Sequence, residues 1–165
     1  MNNNQSIYLA GGCFWGVEGY FSQLKGVVST SVGYANGLTE ETNYNQLKET
    51  DHAETIHIQY DSKQISLQEI LKHYFRIVDP TSLNKQGNDV GRQYRTGIYF
   101  VEKNDLTVIE QELKTLEAQI NQSVVIELEP LKNYVLAEEY HQDYLKKNPN
   151  GYCHVDISLA QVPLS

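Results

Sequence analysis

The residues of this sequence best suited to covalent chemistry are its two cysteines, Cys13 and Cys153. Cys13 stands in the run Gly11-Gly12-Cys13-Phe14-Trp15, which contains the only tryptophan of the chain. An amphipathic helical pattern begins directly after it, with apolar residues at Val17, Tyr20, Phe21 and Leu24. The pattern therefore predicts that Cys13 lies where a helix starts.

A helix start changes the chemistry expected of a thiol. A cysteine with the ordinary pKa of about 8.5 is only roughly 3% thiolate at neutral pH. The free N–H groups and the positive dipole end of a helix stabilise an anion placed there. We therefore expect a thiolate nucleophile at Cys13, with inert packing of the thiol among aromatic side chains as the simpler alternative.

The charge balance argues against whole classes of partner. The 165 residues include 13 Lys and Arg against 21 Asp and Glu, which gives a net charge of -8. Nucleic acids and anionic membranes bind basic surfaces, so neither is expected as a partner. No run of about twenty apolar residues and no signal peptide is present, so we expect neither a membrane span nor export, and a cytoplasmic protein.

The remaining metal-binding and redox residues are sparse. Cys13 and Cys153 lie near opposite ends of the chain, and in a reducing compartment such a pair indicates transient redox chemistry or two unrelated thiols. Neither belongs to a Cys-x-x-Cys motif, and the five histidines are scattered singly. We therefore expect no metal site.

The elements that must position Cys13 alternate between strands and helices. Periodicity predicts strands over residues 7–10, 27–35, 55–61, 96–101 and 124–128, with a short strand possible over 156–159. It predicts helices over residues 14–24, 66–78, 104–120 and 137–146, the second opened by a capping box of Ser66 and Glu69. Polar loops over residues 36–50 and 81–95 are long enough to be functional.

The order of these elements predicts a fold class. It begins as a βαββαβ unit, so we expect an α+β fold, a two-layer sandwich of a mixed sheet and helices with a ferredoxin-like core and C-terminal additions. The length suits a single catalytic domain over residues 1–165. Residues 1–6 are expected to form a polar tail, and about 147–165 a mobile segment that carries Cys153.

Five motifs in order along the chain carry a resemblance to a known family. They are Gly12-Cys13-Phe14-Trp15-Gly16, Gly33-Tyr34-Ala35, His52-Ala53-Glu54, the run from Gln86 to Gly91 with Gln93-Tyr94-Arg95, and Lys147-Asn148-Pro149 with Gly151-Tyr152-Cys153. Together they resemble the methionine sulfoxide reductase A family over residues 7–153.

The resemblance implies a reaction and a set of roles. Cys13 would attack the sulfur of methionine S-sulfoxide, either in proteins or as the free amino acid. Glu54 would be the acid, with its pKa raised by burial, and Tyr44 and Tyr94 would donate hydrogen bonds to the sulfoxide oxygen. Phe14 and Trp15 would hold the substrate methyl group, and Asp89 would help to bind the substrate through polar contacts.

The resemblance also implies how the enzyme is recycled. Cys13 would become a sulfenic acid and then form a disulfide with Cys153, the resolving cysteine. Thioredoxin or another dithiol would reduce that disulfide, and no bound cofactor is expected. His141 fits the family pattern as well, although packing within the predicted helix is its expected role.

The sequence departs from the family pattern around one loop. Asn36 and Asp51 stand where the family commonly has glycine, and Asn43 precedes Tyr44 where the family often has Pro-Thr. These departures bear on the placement of Tyr44.

Two other readings of Cys13 stay open. One is a cysteine hydrolase or acyltransferase that uses a histidine base, although no Cys-His-Asp set is apparent. The other is a redox sensor or peptide-binding module that a Cys13–Cys153 disulfide would switch.

Overall fold

A computed structural model of the protein describes residues 4–151 and 155–164. The strands and helices run in the order β1 (Asn4–Ala10), α1 (Phe14–Phe21), β2 (Val27–Ala35), α2 (Leu47–Thr50), β3 (Ala53–Asp61), α3 (Leu67–Ile77), β4 (Lys85–Gln86), β5 (Asp89–Val90), β6 (Gly97–Phe100), α4 (Asp105–Ile120), β7 (Glu127–Pro130), β8 (Val135–Leu136) and α5 (Tyr144–Lys147). Four 3-10 turns accompany them within this part of the chain, at Tyr44–Gln46, Arg92–Tyr94, Glu139–His141 and Ile157–Gln161. None of the helices in the described ranges is long and apolar enough to cross a membrane.

The main sheet has six strands in the order β7-β6-β1-β3-β2-β8. Its four inner strands, β6-β1-β3-β2, pair antiparallel in the strand order of the ferredoxin-like split unit. The additions are β7, which pairs parallel with β6, and β8, which pairs antiparallel with β2. The predicted α+β fold with a mixed sheet is confirmed.

The core lies between the sheet and helices α1 and α3. Alternate residues of the central strands β1 and β3 point into it, and Leu9 and Ile56, which face each other across the pair, are fully buried. The helix α3 adds Ile70, Leu71 and Tyr74 from one face. As predicted, its start is fixed by the capping box, in which Ser66 Oγ accepts from Glu69 N at 3.1 Å and Glu69 Oε1 accepts from Ser66 N at 3.2 Å.

The helix predicted over residues 137–146 is wrong. The chain instead forms the 3-10 turn Glu139–His141 and the separate helix α5, divided at Asp143, which has a left-handed φ of 52°. At this point the backbone N–H of Asp143 donates to the buried carboxyl of Glu18 at 2.8 Å. A bond to a residue so distant in sequence overrides the local helical pattern.

The strand considered over residues 156–159 is also wrong. The segment is the 3-10 turn Ile157–Gln161, opened by Asp156 Oδ1, which accepts from Ser158 N at 3.1 Å. The guanidinium of Arg76 on α3 donates to the carbonyl oxygens of Leu159 at 2.8 Å and Val162 at 2.7 Å. These bonds attach the described end of the chain to α3, and the predicted mobility of residues 147–165 stays a prediction.

Candidate active site

Cys13 lies in the turn from β1 into α1, as the sequence predicts. It occupies the N-cap position of α1 and is 7% exposed. The preceding Gly12 has a φ of 81°, a left-handed conformation that glycine adopts without strain, and its N–H donates to the carbonyl oxygen of Tyr94 at 3.2 Å. This bond places the cysteine turn beside the 3-10 turn Arg92–Tyr94.

Glu54 lies on β3 with its carboxyl beneath the start of α1. Its Oε1 accepts from Phe14 N at 3.2 Å, and its Oε2 accepts from Gln93 Nε2 at 3.3 Å. The side chain is only 2% exposed. Burial raises its pKa to about 8 in spite of the two hydrogen bonds, and the charge of Asp89 acts in the same direction. Glu54 is therefore protonated at neutral pH, which is the state an acid catalyst needs.

Tyr44 and Tyr94 bring two hydroxyl groups together. The hydroxyls hydrogen-bond to each other, although the residues come from different loops. Burial raises the pKa of both phenols, and the nearby Glu54 raises them further. Both hydroxyls therefore keep their protons. One proton forms the bond between the two tyrosines, and an acceptor that enters beside them and replaces this bond receives a hydrogen bond from each hydroxyl.

The loop that carries Tyr44 is anchored at its start. Asn43 Oδ1 accepts from Asn45 N at 3.0 Å, so Asn43 caps the 3-10 turn in which Tyr44 lies. The backbone N–H of Tyr44 also donates to Glu138 Oε2 at 3.3 Å. The Asn at this position therefore holds the turn by a side-chain cap in place of the Pro-Thr common in the family.

The two departures from glycine both fall at left-handed positions. Asn36 has a φ of 57° and Asp51 a φ of 61°. Each adds bonds that glycine could not make: Asn36 Nδ2 donates to Pro130 O at 3.0 Å, and Asp51 accepts two bonds from Arg92, at 2.6 and 2.9 Å. Asn and Asp are the residues that best tolerate this conformation after glycine. The Asp51–Arg92 pair also ties the loop to the turn that carries Tyr94.

Phe14 and Trp15 lie in an aromatic cluster with His141. The indole Nε1 of Trp15 donates to His141 Nδ1 at 3.0 Å, and its ring stacks on Tyr144 with centroids 3.7 Å apart. Phe14 is fully buried, with its ring 5.2 Å from that of His141. Trp15 is half-buried, so its role and that of Phe14 as the walls of a methyl site stay predictions.

His141 is a site residue that the sequence did not identify. Its ring lies 5.0 Å from that of Tyr44, and it belongs to a 3-10 turn and not to the predicted helix. Burial lowers its pKa, so the ring is neutral, and with Nδ1 accepting from Trp15 the proton resides on Nε2. Among the described residues, this buried Nε2 has no hydrogen-bond partner. Its place in the family pattern was the only sequence signal.

Of the last two predicted site residues, the structure describes Asp89 but not Cys153. Asp89 lies on β5 of a short hairpin and is half-buried, and its charge acts on Glu54, Tyr44 and Tyr94. Cys153 lies outside the described residues. Within the described ranges no three His, Cys, Asp or Glu side chains are grouped to hold a metal ion.

Comparison with known proteins gives one family. The sequence model described as peptide methionine sulfoxide reductase matches residues 5–164. Among solved structures, reduced Mxr1 from Saccharomyces cerevisiae is 38% identical with a TM-score of 0.87, and the match covers 92% of this chain and 89% of that one.

Two further solved structures extend the comparison. Methionine sulfoxide reductase A of Corynebacterium diphtheriae is 36% identical with a TM-score of 0.81, over 93% of this chain and 79% of that one. Mxr1 in complex with Trx2 is 29% identical with a TM-score of 0.63, over 86% of this chain and 85% of that one.

Proposed function

Because the chain belongs to the peptide methionine sulfoxide reductase family, we propose that its single domain reduces methionine S-sulfoxide with Cys13 as the nucleophile. The observation that carries the assignment of roles is the buried Glu54 carboxyl, which is protonated at neutral pH and bonded to the start of the helix that follows Cys13.

The chemistry divides between these residues. The Cys13 thiolate attacks the sulfoxide sulfur while the Glu54 proton moves to the oxygen, which is otherwise a poor leaving group. Tyr44 and Tyr94 donate to the same oxygen and stabilise the charge that develops on it. The attack forms an S–S bond between Cys13 and the methionine sulfur, and the hydroxyl then moves from the methionine sulfur to Cys13 as that S–S bond breaks. The methionine sulfur gains two electrons and Cys13 loses two, so the products are methionine and a sulfenic acid on Cys13.

The aromatic cluster supports a substrate orientation. In the proposed orientation Phe14 and Trp15 contact the methyl group, and an oxygen held opposite them selects one epimer at sulfur. The unpartnered N–H at His141 Nε2 is a donor for the substrate beside this wall, and Asp89 adds an acceptor on the hairpin side. The same site accepts a methionine sulfoxide within a protein or as the free amino acid.

Recycling needs a second thiol and an external dithiol. Attack of the Cys153 thiol on the sulfenic acid forms the Cys13–Cys153 disulfide and releases the oxygen as water. The complex of the related Mxr1 with Trx2 supports thioredoxin as the reductant, which gives two thiols back and is itself oxidised. Such a cycle belongs to a reducing compartment, so we place the enzyme in the cytoplasm.

A stereospecific assay tests the proposal. Methionine formed from the separate S and R sulfoxides is measured with thioredoxin and its reductase present. The wild type should convert the S epimer alone, and Cys13→Ser should convert neither. Conversion of the R epimer only, or peroxide oxidation of Cys13 without conversion of either epimer, would contradict the proposal, and the second outcome would favour the redox-sensor alternative.

A further inference from the structure

Glu18 is a buried carboxyl that the proposed reaction does not use. It lies on α1, one turn after Trp15, and is 2% exposed. Its Oε1 accepts from the backbone N–H of Asp143 at 2.8 Å, and its Oε2 accepts from Thr30 Oγ1 at 3.0 Å. A buried carboxyl is costly unless donors surround it, so these bonds are a built arrangement that joins α1, β2 and the turn before α5.

The bond to Asp143 falls at the point that arranges the partners of Trp15. Asp143 has a left-handed backbone and separates the 3-10 turn Glu139–His141 from α5. Two residues before it, His141 accepts the indole N–H of Trp15, and directly after it Tyr144 stacks on the indole ring. Glu18 therefore holds the backbone at Asp143, which lies between the two residues that contact the Trp15 ring.

Packing and hydrogen bonds both hold α5 against α1. The helices meet closely at Gly19 and Leu145, where a Cβ added at the glycine would lie 3.0 Å from Leu145 Cδ1. Beside this contact an open cleft of about 170 Å³ is lined by Trp15, Glu18 and Tyr144 among others. The hydrogen bonds of Glu18 add a directional restraint on α5 at the side where Trp15 lines the cleft.

We propose that Glu18 is a positioning residue for the substrate site: it fixes the turn at Asp143 so that His141 and Tyr144 hold the Trp15 ring in place. This inference rests on the proposed function in that Trp15 is taken as a wall of the methyl site. Loss of the Glu18 bonds frees the turn, and with it both the ring of Trp15 and the imidazole that faces the substrate.

The single tryptophan of the chain allows a direct test. In Glu18→Leu, tryptophan emission should shift in wavelength and intensity, and kcat/KM for methionine S-sulfoxide should fall about tenfold or more. Glu18→Gln should stay within about twofold of the wild type in both readouts. Its amide oxygen can accept from Asp143 N, and its amide nitrogen can donate to the Thr30 hydroxyl, which also accepts.

A matched control separates positioning from general loss of stability. Glu117 lies on α4, away from Trp15, and its Oε2 accepts from Val124 N at 2.9 Å. Glu117→Leu therefore removes the same kind of bond at a distance from the contacts of Trp15. It should leave the emission spectrum and kcat/KM unchanged. If Glu18→Leu does not fold, Thr30→Val takes its place, because valine suits a strand and removes one donor to Glu18. Thr30→Val should change the emission spectrum and kcat/KM in the same direction and by a smaller amount.

The outcomes distinguish this inference from the proposed function. The positioning role is overturned when the folded Glu18→Leu variant has the same emission spectrum and kcat/KM as the wild type. The same result in Thr30→Val overturns it where Glu18→Leu does not fold. A similar change in Glu117→Leu would overturn it as well. If the wild type reduces neither epimer, the proposed function fails, while the emission spectra still decide whether Glu18 holds the Trp15 contacts.

Discussion

Glu54 should weaken the folded state at neutral pH, and its replacement by glutamine should strengthen it. Burial raises the pKa of this carboxyl from 4.5 to about 8. Between these values the unfolded chain releases the proton that the folded protein retains. Stability therefore falls as pH rises through this interval, because the folded state binds more protons than the unfolded state.

The size of the effect follows from the two pKa values. Each unit corresponds to about 1.36 kcal/mol, so the contribution at pH 7 is about 3 kcal/mol, and it approaches about 5 kcal/mol above pH 8. In Glu54→Gln the new amide oxygen can still accept from Phe14 N. The new amide nitrogen is a donor, and the Gln93 side-chain amide can rotate so that its oxygen accepts from that nitrogen. The variant should thus be more stable than the wild type by up to about 3 kcal/mol at pH 7.

Urea unfolding between pH 5 and pH 8, with a reductant present, measures the difference. The gap between variant and wild type should be small at pH 5 and should widen toward pH 8. In the same variant the sulfoxide-reduction step should slow by about 100-fold or more, since the acid is lost. Parallel stability curves over this range would show that the Glu54 carboxyl is ionised in the folded protein and would refute the reasoning.

Activity measurements give a control and a second check on Glu54. Glu117→Gln replaces another hydrogen-bonded glutamate, on α4, and should retain wild-type activity. In the wild type, the rate of the reduction step should decline as pH rises through about 8, as Glu54 loses its proton. A rate that stays constant from pH 7 to pH 9.5 would exclude Glu54 as the acid.

Two further changes test the recycling thiol and the Tyr44 loop. Cys153→Ser should form one methionine per enzyme and then stop, which a stoichiometric assay with and without thioredoxin detects; full thioredoxin-supported turnover would reject Cys153 as the resolving residue. Gly37→Ala should lower stability by about 1 to 3 kcal/mol and impair turnover, because the new methyl group overlaps the ring of His52, whose nitrogens bond Thr50 Oγ1 and Asn133 O. An unchanged urea midpoint and rate would show that the loop adjusts freely.

The sequence predicts best where local signals and burial agree. The alternation along β3 places Ile56 and Ile58 on the core face, and both are fully buried. The capping box at Ser66 and Glu69 fixes the start of α3 through bonds between residues three apart. Such features depend on neighbours in the chain, so a single sequence contains them.

The prediction fails where a distant residue decides the backbone. The segment 137–146 has a helical pattern, yet the N–H of Asp143 bonds to Glu18, 125 residues away. The environment of Glu54 is equally non-local: burial is the main cause of its raised pKa, and Gln93 and Asp89, which also act on that pKa, come from another loop. Local pattern alone would assign Glu54 to a solvated strand edge, and only the family resemblance indicates its role as an acid.

The two buried carboxyls also explain how so short a helix can hold a reactive turn. The helix α1 has only eight residues, and isolated helices of that length are marginal in water. Glu54 accepts the N–H of Phe14 at its first position, and Glu18 ties its middle to β2 and to Asp143. The turn that carries Cys13 is therefore fixed by tertiary hydrogen bonds at both places, so replacing either side chain by leucine, which removes the acceptor that glutamine would keep, should disturb the cysteine turn even where the sulfur itself is untouched.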